Sequence, residues 1–270
     1  MTLEQVAKVA PSVFATQPWA EVSDKYAFIP TINVVESLMN EGWQIMKAIQ
    51  ATTRIEGKQE FTRHVLRFRR PGTDLIVGDV FPEIVLLNSH DRGSAYQMHA
   101  GLFRLACLNG LVVDDMTFGK LSIRHQGRGI VDDIRRGADE IMTAIPHIQR
   151  EVKIMQAIEL TRDEQGVFAK AALGLKFDDD SAPFSASQLL RAHRTTDQSP
   201  DIWTTYNTIQ ENMIRGGIRY ETPAHRDDNG QYVPSRRQRT REVKGIAEDM
   251  KLNKSLFTLA NEMKRLKMSA

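Results

Sequence analysis

The sequence predicts an α+β protein: a central antiparallel or mixed β-sheet flanked by helices, with a helical C-terminal half. Three observations carry this. Apolar residues recur at three- and four-residue intervals over residues 31–49. The period shortens to about 2 over residues 61–124, where β-branched and aromatic residues become frequent. Helical spacing then returns over residues 129–217 and again over residues 250–267.

Residues 1–30 contain Pro11, Pro18 and Pro30 and read as an N-terminal arm or a set of short pieces; residues 31–270 read as a single α+β domain. Thr31 is expected to cap a helix whose stripe is Val34, Val35, Leu38, Met39, Trp43, Met46 and Ile49, weakened locally by Gly42. The sheet is assigned to residues 61–125, with strands at 61–70, 75–80, 83–87, 96–108 and 121–125. Pro71-Gly72 and Asn109-Gly110 supply its best turns. Ile84-Val85-Leu86-Leu87 suits a strand buried on both faces.

Residues 129–217 form the helical part. Pro146 should divide or kink its first helix, because a helix interior needs the N–H that proline lacks. Thr161 and Glu164 have capping-box spacing. Ser199-Pro200-Asp201 starts a helix with Ser as cap, and Gly216-Gly217 ends it. On that helix Gln210 falls on the apolar face, where its amide must find partners; the expectation is that it fixes the helix against a neighbour. Residues 220–244 read as a mobile basic loop, and residues 250–267 as a last amphipathic helix through Leu252, Leu256, Leu259, Met263 and Leu266.

Composition narrows the function classes without choosing among them. With 270 residues the chain can bury a core unaided, and 41% hydrophobic and 26% charged residues exclude a wholly disordered or fibrous protein. Cys107, the single cysteine, excludes an intrachain disulfide and fits a reducing cytoplasm. No apolar run approaches the roughly 20 residues that span a bilayer, so no membrane association is expected. A net charge of +2 does not announce a nucleic-acid protein, so only the arrangement of charge can.

Two basic clusters provide that arrangement. Alternation along residues 61–70 places Arg63, Arg67 and Arg69 on one sheet face, where they repel one another unless something anionic sits there. Arg236, Arg237, Arg239, Arg241 and Lys244 fall in or just after the expected loop, and forked donors on flexible chain suit phosphate oxygens. The rival reading of both clusters is a solvated surface. His90 beside Asp91 reads as turn chemistry rather than an acid/base pair, and Cys107 as a buried small hydrophobe. Seven histidines form no HxxxH pair, and neither GxxxxGK[ST] nor GxGxxG occurs. Glu151-Val152-Lys153 and Glu242-Val243-Lys244 offer only a chance-level nuclease pattern. No catalytic residue, cofactor or metal ligand is assigned.

Beyond these physical signals, residues 86–91 (LLNSHD), 103–111 (FRLACLNGL) and 122–125 (SIRH) form a recognisable series. Residues 202–212 (IWTTYNTIQEN), Gly216-Gly217, 239–246 (RTREVKGI) and Leu252-Asn253 continue it. The series resembles the family catalogued as domain of unknown function 932, of the YfjQ and YafZ type found on phages, prophages and plasmids. Arg92 departs from expectation, standing in a turn where a small residue belongs. The resemblance implies a mobile-element protein of the bacterial cytoplasm. Mobile elements commonly carry single-strand annealing proteins that assemble from many subunits; this analogy is at the level of architecture.

The resulting expectation is a non-enzymatic homo-oligomer that binds nucleic acid without strong sequence preference, single-stranded DNA being favoured, and promotes annealing in recombination. Arg63, Arg67 and Arg69 would line a groove, Arg236, Arg237, Arg239, Arg241 and Lys244 would clamp the backbone, and Tyr220 or Tyr232 would stack on bases. The alternative is a protein-interaction or anti-defence factor whose basic loop meets a host protein.

Overall fold

The computed structural model describes residues 1–22, 26, 28–72, 80–94, 96–104, 110–113, 120–123, 130–178, 181–226 and 228–269. They fall into two compact units, Met1–Arg150 and Glu151–Ala270. The expected strand at 75–80, the turn at Asn109, Cys107, Arg124 and His125 lie wholly or mostly outside the described residues.

In the first unit, α1 (Leu3–Val9) opens with a capping box between Thr2 and Gln5. A 3-10 turn, Pro11–Phe14, follows, and Val6, Ala10 and Val13 are fully buried. Helix α2 (Thr31–Asn40) stops before the end of its apolar stripe. Gly42 adopts φ +87, and the chain re-enters as β1 (Gln44–Gln50). The helix expected to reach Ile49 is therefore a helix and a strand. Trp43, Met46 and Ile49 keep the helical spacing, but Trp43 and Ile45 are the residues buried while Met46 and Ile49 are exposed, and the left-handed glycine ends the helix before them.

A six-stranded sheet is completed by β2 (His64–Arg69), β3 (Val80–Asn88), β4 (Tyr96–Arg104), β5 (Gly110–Val113) and β6 (Lys120–Ile123). Its order is β1-β2-β3-β4-β5 and every pairing is antiparallel; β5 pairs with residues 100–103 of β4, and β6 with residues 96–99. Residues Ile84 to Leu87 are buried on both faces, as their unbroken apolar run predicts. One face presents Ile45, Leu66, Phe68, Ile84, Leu86 and Met98.

At the end of that face lies a polar chain whose members Ser12, Thr31, His64, Asn88 and His90 are fully buried. Thr31, expected as a helix cap, makes no capping bond; Pro30 is the cap residue instead. Its hydroxyl serves the sheet, 2.9 Å from His64 Nε2 and 3.3 Å from His90 Nε2, and it accepts from Asn88 Nδ2 at 2.9 Å. His64 Nδ1 lies 3.2 Å from the Thr62 carbonyl, an acceptor only, so this nitrogen carries the proton and Nε2 accepts from Thr31. Ser12 Oγ, 2.9 Å from the same Nδ1, donates to Gln50 Oε1, whose amide nitrogen donates to the Gln59 carbonyl. Each donor thus meets an acceptor in one direction along the chain.

The second unit is helical apart from one small β arm. Helix α3 (Ile130–Ala157) crosses from the first unit into the second and runs through Pro146 undivided; the proline removes only one rung of a 28-residue ladder. Helix α4 (Arg162–Leu173) has the Thr161–Glu164 capping box that its sequence predicts. Helix α5 (Ile202–Arg215) is capped by Asp201, which accepts from Thr204 N at 2.8 Å; Ser199, the expected cap, lies before Pro200 and outside the helix start.

Residues 220–244, expected as a mobile loop, contain strands β7 (Arg219–Thr222), β8 (His225–Arg226), β9 (Tyr232–Val233) and β10 (Arg236–Arg239). β10 pairs antiparallel with β7, and β8 with β9 nearer the tip. The arm has no buried face, so its strands leave no apolar alternation to read. Helix α6 (Ile246–Ser269) closes the unit, and Lys267 Nζ reaches Glu164 on α4 at 2.9 Å.

Burial pushes the His64 imidazole down to about 4, because the charged form would lose its hydration; hydrogen bonding to Thr62 offsets only part of this. The fold therefore holds His64 neutral. Its contribution is complete above the ordinary histidine value near 6.5 and is withdrawn as pH falls toward about 4, where the unfolded chain binds the extra proton. Urea unfolding across this window should show a loss on the order of 3 kcal/mol from this group. His64→Gln should flatten the curve by that amount; identical pH slopes in parent and variant would contradict the assignment.

Candidate nucleic-acid interface

The two arginine clusters have different fates. On β2, Arg67 and Arg69 lie on one face, as alternation predicts, and the anion they require is supplied by the protein. Glu83 of β3 stands across from Arg69 and diagonal to Arg67, since the register aligns Phe68 with Ile84. Its carboxylate has no exposed surface. Arg67 Nε donates to Oε2 at 2.6 Å, and Arg69 Nη2 donates to Oε1 at 2.6 Å. The Arg69 guanidinium also lies 4.1 Å from the Phe81 ring centroid. Arg63 is turned into the loop after β3, where Nη2 donates to the Gly93 carbonyl at 2.5 Å. All three guanidiniums have structural partners, and the sheet face expected to line a groove is an internal ion-pair site.

The arm in the second unit differs. Its register sets Arg237 opposite Glu221, Gln238 opposite Tyr220 and Arg239 directly opposite Arg219. Arg219, Arg236, Arg237 and Arg239 are exposed, and among the described residues none forms an ion pair. Two like charges facing each other across a strand pair are destabilising without a counterion. An open trough of about 530 Å³ runs along β7 and β10, lined by Arg219, Tyr220, Glu221, Arg237, Gln238 and Arg239. Tyr232 is 68% exposed near the tip. Tyr220 is more constrained: its hydroxyl donates to Gln238 Oε1 at 3.0 Å and its ring centroid lies 6.5 Å from that of Phe184. Arg241 and Lys244 follow the arm and are exposed. Arg219 is the member that the sequence left unnoticed, because it is remote in sequence from the cluster it joins and only the strand pairing brings it there.

A strap fixes the base of the arm to the end of α5. Gly217 N donates to the Thr240 carbonyl at 2.9 Å, Thr240 N to Ile218 O at 2.9 Å and Val243 N to Ile214 O at 2.8 Å. Gly216 has φ +68, and a Cβ there would stand 2.7 Å from the Arg241 carbonyl carbon and oxygen. Only glycine fits this close backbone crossing.

Helix α5 is buried along nearly its whole length, polar residues included. Gln210 Nε2 donates to Tyr206 Oη at 2.8 Å and to Asn253 Oδ1 of α6 at 2.5 Å, so it locks one helix against another. Glu211 takes both forks of Arg194, at 2.6 and 2.9 Å, and Arg215 Nη1 at 3.2 Å. Asn212 Nδ2 donates to the carbonyls of Leu189, Arg191 and Thr208.

The remaining candidates do not assemble. His90 is buried against Phe28 and His64, while Asp91 holds Gly93 N and Lys58 Nζ, so the neighbours point apart. Arg92 adopts φ +63, the left-handed conformation for which the turn would favour a small residue. Glu151 lies in α3 and accepts from Lys264. Among the described residues no group of three or more His, Cys, Asp or Glu side chains is poised to hold a metal ion, and no helix is long and apolar enough to cross a membrane.

The family described as Domain of unknown function (DUF932) matches residues 18–257. The chain belongs to this family. Among curated relatives, UPF0380 protein YafZ of Escherichia coli (strain K12) is 40% identical over 263 residues, covering 97% of this chain and 91% of the relative. UPF0380 protein YfjQ of the same strain is 39% identical over 263 residues with the same coverage. No solved structure matches the chain. The segments that signalled DUF932 from sequence alone include the buried polar chain around Asn88 and His90, the polar face of α5, and the Gly216 strap.

Glu83→Gln would leave two guanidiniums without their carboxylate in a largely buried site. It should destabilise the protein by about 3 kcal/mol in denaturant unfolding, whereas Arg236→Gln should change stability by less than about 0.5 kcal/mol. Equal small effects would mean that the sheet arginines are solvated after all.

Proposed function

We propose that this DUF932 protein is a non-enzymatic, sequence-tolerant binder of nucleic acid, with single-stranded DNA favoured, and that the β arm in its second unit is the contact surface. The observation that carries the reading is the row of four exposed arginines on β7 and β10 with no ion-pair partner among the described residues, two of them face to face. Phosphate oxygens one nucleotide apart suit a ladder of forked donors, and such contacts carry no base information. Tyr232 and the half-buried Tyr220 offer ring surface to unstacked bases, which a duplex would keep paired. The sheet arginines are left out of the interface, because Glu83 already holds Arg67 and Arg69.

A binder of this kind, assembled as a homo-oligomer, would hold single strands extended for annealing in the recombination of a phage or plasmid. Its place of action would be the reducing cytoplasm, in keeping with a chain that has one cysteine.

Fluorescence anisotropy with labelled oligothymidylate across a salt series tests the reading. Affinity should fall steeply with salt, and replacing Arg236, Arg237 and Arg239 together by Gln should reduce the magnitude of the log–log slope by about 2, at about 0.7 for each single-strand phosphate contact. A parent that does not bind at low salt, or a folded triple variant with the parent's slope, would overturn it. In the first case capture of a host protein by the arm becomes the account to pursue.

A further inference from the structure

Beside the arm, within the second unit, lies a cleft of about 540 Å³ whose walls include Arg191, His193, Asn212, Gly217, Arg219 and Arg239. We propose that it is a binding site for a dianionic phosphate monoester, as borne by a nucleoside monophosphate or by the phosphorylated end of a strand. The inference goes beyond backbone binding by the arm: it adds Arg191, His193 and Asn212 and shares Arg219 and Arg239 with the arm.

Charge is the first argument. Arg191, Arg219 and Arg239 converge on the cleft, and among the described residues none of the three has a carboxylate partner. Glu211, the carboxylate of α5 adjacent in sequence to Asn212, is saturated by Arg194 and Arg215. An entering anion therefore meets three cations without first displacing an internal one. A dianion also relieves the repulsion between Arg219 and Arg239, which strand pairing holds opposite each other.

Pre-organisation is the second. Arginines on free loops separate to lower their repulsion, but these walls are tied by backbone. Asn212, 3% exposed, donates its amide hydrogens to the carbonyls of Leu189 and Arg191 at 2.9 and 3.0 Å, which fixes the segment carrying Arg191. Gln188 Nε2 donates to the Arg219 carbonyl at 2.9 Å and ties that segment to β7. With its nitrogen committed as donor, Asn212 presents Oδ1 as an acceptor, 2.8 Å from His193 Nε2. His193 Nε2 is therefore the donor to Asn212, which fixes the orientation of the ring at the cleft wall. The volume accommodates a nucleotide, whose sugar and base would occupy the space beyond the phosphate.

Isothermal titration calorimetry of the full chain tests the site, with dAMP as the monoester probe and deoxyadenosine as its uncharged control. The parent should bind dAMP saturably at one site per chain and should not bind deoxyadenosine. Arg191→Gln and Arg219→Gln, two exposed wall residues, should each weaken dAMP binding about tenfold or more, while Arg236→Gln with Arg237→Gln, outside the cleft, should leave it unchanged. The two sources separate in a second titration with 5′-phosphorylated and 5′-hydroxyl oligothymidylate. A gain from the phosphate identifies a strand end, and no gain alongside dAMP binding identifies a free nucleotide; either supports the site. Absence of saturable dAMP binding, equal binding of deoxyadenosine, or both wall variants matching the parent overturns it. Failure of backbone binding by the arm would appear instead as loss of affinity for the 5′-hydroxyl strand with dAMP binding intact.

Discussion

The carboxylate of Glu83 has no exposed surface, and Arg67 and Arg69 reach it from the neighbouring strand. Removing charges from water is expensive, so each must find its complement in the fold. This constraint explains why a basic face can sit inside a sheet whose other residues, Val65, Val85 and Leu87, are buried. It also divides the chain's arginines by function. Those that complete an internal ion pair support the structure, and those left without a carboxylate are available for a ligand.

The same requirement governs the second unit. Helix α5 buries Asn207, Thr208, Gln210, Glu211 and Asn212 together with Trp203, Tyr206 and Ile209. Such a helix is tolerable only when each polar group has a partner: Asn207 and Thr208 donate to the Trp203 and Thr204 carbonyls of α5 itself, and the other partners come from α6, from Arg194 and from the backbone around Leu189 and Arg191. Satisfying Asn212 in this way also fixes the segment that forms one wall of the basic cleft. At the C-terminal end of α5, the crossing at Gly216 anchors the arm, so the exposed arginines project from a rigid base rather than a loose loop.

Much of the architecture was legible. The change of period from helix to sheet and back marks α2, the strands and the later helices, and the Thr161–Glu164 spacing marks a real cap. Errors arose where local signals were ambiguous or absent. Met46 and Ile49 continue the helical spacing from Trp43, so the turn at Gly42 and β1 beyond it were hidden. Thr31 has the chemistry of a cap, but a buried histidine competed for its hydroxyl. The arm is polar on both sides, and pairing without burial leaves no pattern. The division at residue 150 falls inside α3, where the helical spacing continues unbroken.

Of the candidate interface, the cluster at Arg236 to Arg241 could be read from the arrangement of charge along the chain. The roles of Arg67 and Arg69 could not, because they turn on Glu83, whose place beside them is set by strand register. Arg219 and Arg191 are likewise brought to the site by pairing and helix packing, not by sequence proximity. The central claim, that the arm and not the sheet face meets nucleic acid, is tested most directly by ultraviolet crosslinking of oligothymidylate to the full chain, with the modified peptide located by mass spectrometry. The account predicts adducts within residues 219–241. Adducts confined to residues 63–69, or a chain that crosslinks nowhere at low salt, would contradict it.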